Sequence, residues 1–241
     1  MIIVIDAGNS RIKWGVHDGS RWLDAGALAT GEVARLAETA AKWPLEARVA
    51  VCNVAGAVVA ETISSICAER RARVSFLHAS AAACGVRSAY DSPGQLGADR
   101  WAALIGARAV CGNACLVVCA GTATTVDQLD ADGVFRGGLI LPGFDLMRAA
   151  LARNTAQLPF ADGSFRELPR NTMDAIVSGC LQAQLGAVER MFHGLAAEPG
   201  ALCLLTGGAA PRLTEHLNIP FQLMDNLILD GLLRFAVSAG T

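Results

Sequence analysis

The sequence has few aromatic residues and few charges of either sign. Aromatic residues make up 5% of the chain and charged residues 17%, whereas apolar residues make up 53%. That apolar content supplies an ample core and excludes an intrinsically disordered protein. The net charge of −2 gives none of the basic footprint that nucleic-acid or membrane-surface binding requires. We therefore expect a folded protein with neither kind of partner, although a local anion site stays possible.

Long apolar runs and paired cysteine motifs are absent as well. No uninterrupted apolar stretch approaches the roughly 18 residues of a membrane-spanning helix, and no basic segment precedes an apolar stretch near Met1. These features predict a cytoplasmic protein without a signal peptide. Eight cysteines occur without a Cys-x-x-Cys pair, and four histidines are scattered without metal-ligand spacing. Buried, reduced thiols are expected rather than disulfides or zinc ligands.

A glycine turn dominates what the sequence does contain. An apolar run that reads as a buried strand ends at Cys119-Ala-Gly-Thr-Ala-Thr-Thr-Val-Asp127. Gly121 lets the backbone approach an anion closely, and Thr122, Thr124 and Thr125 add hydroxyl donors beside the backbone N–H groups. Asp127 offers an oxygen ligand of the kind that Mg²⁺ prefers beside substrate phosphates. The motif predicts a phosphate-binding loop, while an ordinary β-hairpin turn rich in Thr remains the alternative.

A second copy of this pattern opens the chain. An apolar strand ends at Asp6-Ala-Gly8-Asn-Ser10, and a second apolar run with Arg11, Ile12 and Lys13 follows. Aligning Gly8 with Gly121 also aligns Ala7 with Ala120 and the turns that close each hairpin. The repeat predicts two related domains, residues 1–112 and 113–241, each of a usual domain size.

The order of elements in the first half predicts its fold. Apolar patterns give strands near 2–6, 11–17 and 22–27, a helix near 31–43, a strand near 48–52, a helix near 58–70 and a strand near 74–77. This β-β-β-α-β-α-β order is that of a ribonuclease-H-like domain in the α/β class.

The polar segment between the halves carries a carboxylate and an arginine side by side. In Gly97-Ala98-Asp99-Arg100, Asp99 falls in the first turn of a helix predicted from about 98 to 110, where the helix dipole stabilises it. Tyr90, the only tyrosine, lies just upstream. A proton-accepting carboxylate beside an anion-binding arginine suits a small-molecule kinase. A surface Asp-Arg pair at a helix start is the alternative.

Two further motifs allow two interpretations each. Asn171 or Thr172 fits the N-cap of a long helix, which makes Thr172 a capping residue unless other observations assign it a ligand. Thr206-Gly207-Gly208 ends an apolar strand and either turns the chain into a helix or presents bare backbone to an adenosine ring.

Taken together, the motifs resemble those of the type III pantothenate kinases. The matching segments, in order, are Asp6–Ser10, Gly97–Trp101, Gly121–Asp127, Gly137–Gly143, Asn171-Thr172 and Thr206–Gly208. This family is part of the acetate and sugar kinase, Hsp70 and actin superfamily. The resemblance implies two duplicated ribonuclease-H-like, or actin-like ATPase, domains with an interdomain cleft, and a homodimer.

The resemblance also implies an activity and a set of site residues. The activity is ATP-dependent phosphorylation of pantothenate, the first step of coenzyme A synthesis, with Asp99 as general base. The implied pantothenate-binding residues are Tyr90, Gly97, Ala98, Asp99, Arg100 and Thr172. The implied ATP-binding residues are Asp6, Ala7, Gly8, Asn9, Ser10, Arg11, Ile12, Lys13, Gly121, Thr122, Gly207 and Gly208. Asp6 and Asp127 would position Mg²⁺ through water.

One position departs from the family pattern. Many members of the family carry an acidic residue two positions before the glycine of the second loop, and that residue is similar to a ligand for an activating monovalent cation. Cys119 stands there in this sequence, and a thiol is a poor ligand for K⁺ or NH₄⁺.

Two alternatives remain open for the activity: a regulator resembling the Bvg accessory factors, or another superfamily kinase or phosphatase acting on a sugar, acetate or polyphosphate.

Overall fold

The structure, a computed structural model, describes residues 1–160 and 162–238. Its strands are β1 (Ile2–Ala7), β2 (Arg11–His17), β3 (Trp22–Ala29), β4 (Arg48–Asn53), β5 (Arg73–Phe76), β6 (Ala82–Ala83), β7 (Val86–Ser88), β8 (Cys115–Ala120), β9 (Ala123–Leu129), β10 (Val134–Pro142), β11 (Leu202–Thr206) and β12 (Phe221–Leu223). Its α-helices are α1 (Leu36–Ala40), α2 (Ala57–Glu69), α3 (Ala98–Val110), α4 (Phe144–Asn154), α5 (Thr172–His193), α6 (Ala210–Thr214) and α7 (Leu227–Ser238). Short 3₁₀ segments are Thr30–Arg35 and Pro93–Gln95.

The chain divides into two compact units. The first unit contains Met1–Gly112, Gly133–Phe135 and the described part of Asn226–Thr241. The second contains Asn113–Asp132 and Arg136–Asp225. The final helix, α7, therefore belongs to the same unit as β1, although the whole second unit separates them in sequence.

The first unit is built on a five-stranded sheet in the order β3-β2-β1-β4-β5. β1 runs antiparallel to β2 and parallel to β4. Alternate side chains of β1 point to opposite faces of the sheet. Ile3, Ile5 and Ala7 join an apolar cluster with α1 and α2 residues, whereas the face that carries Asp6 is packed by α3 and α7. β1 is thus buried on both faces, which explains its nearly continuous apolar sequence.

The second unit repeats this arrangement. Its strands follow the order β12-β11-β8-β9-β10, which is the strand order of the first unit read from the other edge. β8 runs antiparallel to β9 and parallel to β11. Leu116, Val118 and Val126 pack into an apolar cluster with Leu181, Leu185 and other residues of α5. Both units therefore have the ribonuclease-H-like strand order that the sequence predicts.

Most predicted elements are present, and the differences are local. The helix predicted near 31–43 is a 3₁₀ segment, Thr30–Arg35, that continues into the short helix α1. The three-residue strand β12 and the two short strands β6 and β7 were not predicted, because segments this short carry little periodicity. None of the helices in residues 1–160 and 162–238 combines the length and apolar character needed to cross a bilayer.

Helices α3 and α7 pack closely enough to require glycine at their contact. A Cβ atom added at Gly231 of α7 would overlap the carbonyl oxygen of Ala102 in α3, and one at Gly106 of α3 would overlap that of Leu227 in α7. We expect Gly231→Ala to lower the free energy of unfolding by about 1–3 kcal/mol through overpacking, as measured by urea denaturation.

The matched control for that change is Gly179→Ala in α5. A Cβ atom at Gly179 meets no atom within 4 Å, so the better helix propensity of alanine should stabilise the protein by up to about 1 kcal/mol. Equal effects of the two substitutions would show that helix propensity, rather than the close contact of α3 with α7, sets the requirement at residue 231.

Candidate functional site

The first predicted phosphate loop connects β1 to β2. The Gly8 N–H donates to the Arg11 carbonyl at 3.1 Å and closes the turn. Thr30, the first residue of the 3₁₀ segment that follows β3, fixes the loop. Its hydroxyl donates to the Gly8 carbonyl at 2.7 Å, and its N–H donates to the Ser10 carbonyl at 3.1 Å. Asn9 and Ser10 are exposed at the tip, whereas Ile12 is buried and anchors the loop in the core. The result is a tethered, solvent-facing turn.

Beneath this loop, charged groups converge on one face of the first sheet. Asp6 lies opposite Lys13 on β2 and Cys52 on β4, and residues in register on neighbouring strands share a face. The Cys52 thiol donates a hydrogen bond to the Asp6 carboxylate. Burial, together with the nearby negative charge of Asp99, raises the pKa of Asp6 to about 7 against the opposing effects of Lys13 and Cys52. Such a shift is typical of functional sites.

Asp99 reaches this group from the first turn of α3. Its carboxylate accepts a hydrogen bond from the Arg100 N–H at 2.8 Å, so it turns back over the positive end of the helix. Gly97 makes room for that orientation, because a Cβ atom at residue 97 would lie 2.6 Å from a carboxylate oxygen of Asp99. The predicted base is therefore held on a rigid helix terminus with Asp6 close by.

Arg100 packs beside two aromatic rings. Its side chain is only 4% exposed, and one guanidinium nitrogen donates to the Tyr90 hydroxyl at 3.1 Å. The guanidinium carbon lies 5.8 Å from the ring centres of both Tyr90 and Phe135, and the two rings are 5.0 Å apart. Tyr90 and Arg100, which are both predicted to bind substrate, thus lie in contact with each other. The Tyr90 and Phe135 rings hold the planar guanidinium in place.

The second predicted phosphate loop lies in the second unit, where β8 ends. The Gly121 N–H donates to the Ala123 carbonyl at 3.0 Å, and the Gly143 N–H donates to the Thr122 carbonyl at 2.8 Å. Gly143 must be glycine, because a Cβ atom there would overlap the carbonyl oxygens of the loop. Gly207 has φ +104° and lies against Ala120, which links the predicted adenosine segment directly to this loop. Gly208 is exposed beside it.

Three further residues singled out from the sequence lie in the second unit. Asp127 is 1% exposed and lies on β9. Cys119 lies on β8 opposite Thr125. Thr172 is the exposed first residue of α5, and the N-cap is Asn171, whose side-chain oxygen accepts from the Asp174 N–H at 2.9 Å. The capping role is therefore filled by Asn171, and Thr172 keeps its hydroxyl at an exposed helix start.

Comparison with known proteins decides the family. The model of the type III pantothenate kinase family matches residues 2–194. A type III pantothenate kinase from Aromatoleum aromaticum is 60% identical over 232 residues, which is 96% of each chain. The chain belongs to the type III pantothenate kinase family.

Solved structures with the same fold are more distant in sequence. A Campylobacter jejuni protein described as a Baf family transcriptional activator has a TM-score of 0.66 at 20% identity, over 99% of this chain and 98% of that one. MreB5 of Spiroplasma citri bound to ADP has a TM-score of 0.54 at 11% identity, over 99% and 96%. At these identities the likeness shows the fold alone, and that fold is the actin-like ATPase fold expected of a type III pantothenate kinase.

Two residues that lie near the predicted site of this type III pantothenate kinase were not assigned to it from the sequence. Cys52 contacts Asp6 because β1 and β4 are parallel neighbours, and the carboxyl ends of such strands meet at one edge. The strand order of the predicted fold would have pointed to it. Phe135 belongs to the first unit, although most of its sequence neighbours belong to the second. No local pattern in the sequence predicts that Phe135 lies beside Tyr90 and Arg100.

Proposed function

We propose that this protein transfers the terminal phosphoryl group of ATP to the primary hydroxyl of pantothenate, the first step of coenzyme A biosynthesis. The observation that carries the proposal is the arrangement at the start of α3. Asp99 lies within electrostatic reach of Asp6, and Arg100 beside it is held by Tyr90. One helix terminus thus carries a proton acceptor and an anion-binding group, on a fold that binds nucleotides in its relatives.

Asp99 acts as the general base in this proposal. Phosphoryl transfer depends mainly on positioning and on neutralising charge, and a base is needed only as the hydroxyl attacks. The Asp99 carboxylate accepts the hydroxyl proton. Its hydrogen bond from the Arg100 N–H fixes one oxygen, so the other oxygen is oriented for the proton.

Arg100 binds the carboxylate of pantothenate. A guanidinium pairs with a carboxylate through charge-assisted hydrogen bonds, and Tyr90 and Phe135 keep the Arg100 side chain in one orientation. The backbone of Gly97 and Ala98 and the hydroxyl of Thr172 complete the proposed set of pantothenate contacts.

ATP is bound by the two glycine loops in the proposal. The loop from Asp6 to Lys13 and the loop at Gly121 and Thr122 bind phosphate oxygens through backbone N–H groups, with the Lys13 ammonium adding positive charge. Gly207 and Gly208 form the adenosine contact, because Gly207 is already fixed against Ala120 at the end of β8.

Mg²⁺ fits the donors that this chain offers. Mg²⁺ in kinases is held by one or two carboxylates together with substrate phosphates, and both Asp6 and Asp127 are buried carboxylates on strands. Burial, and after it repulsion from Asp99, raises the pKa of Asp6 to about 7, and a cation nearby would favour the ionised carboxylate. Asp6 and Asp127 would hold the ion through water, and the ion would neutralise charge on the phosphates.

The monovalent cation site is expected to be weak because of Cys119. We expect K⁺ or NH₄⁺ to activate the wild-type enzyme little, whereas Cys119→Asp, which restores an oxygen ligand, should gain saturable K⁺ activation. The rate is measured against KCl with tetramethylammonium chloride holding the ionic strength constant. Sharp, saturable activation of the wild type would contradict the expectation.

The wider proposal covers location and partners. It places the enzyme in the cytoplasm as a homodimer with no nucleic-acid or membrane partner. The homodimer is tested by sedimentation equilibrium of the purified protein. A monomer at micromolar concentration would remove that part of the proposal and leave the catalytic part to be tested separately.

The reaction itself is tested by a coupled assay of ADP release with purified protein, ATP and Mg²⁺. Pantothenate should stimulate ADP release strongly, and mass spectrometry should find phosphopantothenate as the product. Glucose, acetate and polyphosphate serve as alternative phosphoryl acceptors or donors in parallel reactions. Turnover with one of these and none with pantothenate would overturn the proposal.

A further inference from the structure

The two units carry equivalent sets of polar residues beside their glycine loops. In the first unit Asp6 lies in register with Lys13 across the hairpin and with Cys52 on the parallel strand. In the second unit Cys119 lies in register with Thr125 and with Thr206 in the same way. Each central residue stands two positions before the loop glycine. Thr125 therefore occupies the position in the second unit that Lys13 occupies in the first.

Neighbouring threonines on β9 face opposite sides of the sheet. Thr124 shares a face with Val126, which packs in the apolar cluster with α5. Its hydroxyl donates to the side-chain oxygen of Gln184 at 3.1 Å, and both residues are fully buried. Thr125 points to the other face, as does Asp127, because side chains alternate along a strand. Thr124 is therefore hydrogen-bonded within the unit, whereas Thr125 lies on the same face of the sheet as Asp127.

The hydroxyl of Thr125 lacks a partner. The residue is 8% exposed, and its oxygen is buried without a hydrogen bond to any described residue. Buried hydroxyls in folded proteins are nearly always hydrogen-bonded, because an unpaired one costs free energy. An unpaired hydroxyl beside a predicted phosphate-binding loop, on the same sheet face as a buried carboxylate, is a donor that a ligand could engage.

We propose that the Thr125 hydroxyl binds a phosphate oxygen of the nucleotide and is the second unit's counterpart of Lys13. The inference rests on the proposed function, since it assumes that ATP is the phosphoryl donor. Lys13 supplies a charged donor from β2, and Thr125 supplies a neutral donor from β9. Thr124, which is equally close in sequence to Gly121, has no such role because Gln184 already engages its hydroxyl.

The test compares Thr125→Val with Thr124→Val, two substitutions that each replace one hydroxyl by a methyl group on the same strand. Calorimetric titration measures the Kd for AMPPNP in the presence of Mg²⁺, and thermal denaturation without ligand measures Tm. Thr125→Val should raise this Kd about 10- to 100-fold, the loss of one hydrogen bond to a charged group. It should leave Tm unchanged or higher, because an unpaired buried hydroxyl is removed. Thr125→Ser should bind like the wild type.

Thr124→Val should show the opposite pattern. Its Tm should fall, since the Gln184 oxygen loses its donor, and folded Thr124→Val should bind AMPPNP with a Kd close to that of the wild type. Wild-type affinity in Thr125→Val would overturn the inference, as would a fall in its Tm equal to that of Thr124→Val, which would reveal a structural partner for the hydroxyl. AMPPNP binding is measured without pantothenate. Failure of the wild type to phosphorylate pantothenate would therefore refute the proposed function, but the Kd values of the Thr125 and Thr124 variants would still test this inference.

Discussion

Replacing Asp99 by Asn should lower kcat for pantothenate phosphorylation by a factor on the order of 10² to 10⁴, the usual contribution of a positioned general base. Asparagine keeps the shape and an oxygen that can still accept the Arg100 N–H hydrogen bond, so the start of α3 should be undisturbed. The amide cannot take up the hydroxyl proton. Steady-state ADP release at saturating ATP and pantothenate measures the change.

The control for Asp99→Asn is Asp24→Asn, the same chemical change at an exposed position on β3. That variant should keep the wild-type kcat, and both variants should keep the wild-type Tm within a degree or two. Turnover by Asp99→Asn at the wild-type rate would remove Asp99 from the role of base. An equal loss of kcat in both variants would show that the change in net charge, rather than the position of Asp99, causes the effect.

Replacing Arg100 by Gln should raise KM for pantothenate about 10- to 100-fold, because hydrogen bonds to a charged group contribute about 1.5–3 kcal/mol. The guanidinium is buried and held by the Tyr90 hydroxyl, so its position is fixed before the substrate binds. The affinity for AMPPNP should stay at its wild-type value. Initial rates over a range of pantothenate concentrations give KM, and calorimetry gives the nucleotide affinity.

A matched change at an exposed arginine separates recognition from net charge. Arg73 lies on β5 with its side chain exposed, and Arg73→Gln should leave KM for pantothenate unaltered. Because removal of a buried arginine also removes packing, Tm is measured for both variants. A rise in KM for ATP as large as the rise in KM for pantothenate would show that Arg100 has a structural role and does not bind pantothenate specifically.

The fold was largely predictable because its signals are local. The strand of residues 2–6 is apolar from Ile2 to Ile5, and a helix with an acidic residue, Asp99, in its first turn follows the usual sequence pattern of a helix start. The repeat of Gly8 at Gly121 revealed the duplication, and the structure confirms that both glycines directly follow the first strand of a unit. The second hairpin is one residue tighter, since Ala120 pairs with Thr124 whereas Ala7 pairs with Ile12.

The candidate site was predictable only in part. Asp99, Arg100 and Tyr90 were found because they lie in one polar segment, and Asp6 because it precedes a glycine turn. Cys52, Phe135 and the distinction between Thr124 and Thr125 depend on strand register and on which hydroxyl Gln184 engages. These are properties of packing between distant segments, and no local window of sequence contains them.

The position of α7 has a consequence for the order in which the protein folds during synthesis. This helix packs on β1 and β4, yet the ribosome makes it only after the whole second unit, Asn113–Asp132 and Arg136–Asp225, has been translated. Domains generally fold as units while the chain emerges. The second unit can therefore fold before the first is complete, because the sheet face that carries Ile2, Val4 and Ala50 is covered only in part by α3 until α7 has been made. Nascent chains stalled before residue 227 should for that reason be bound by chaperones.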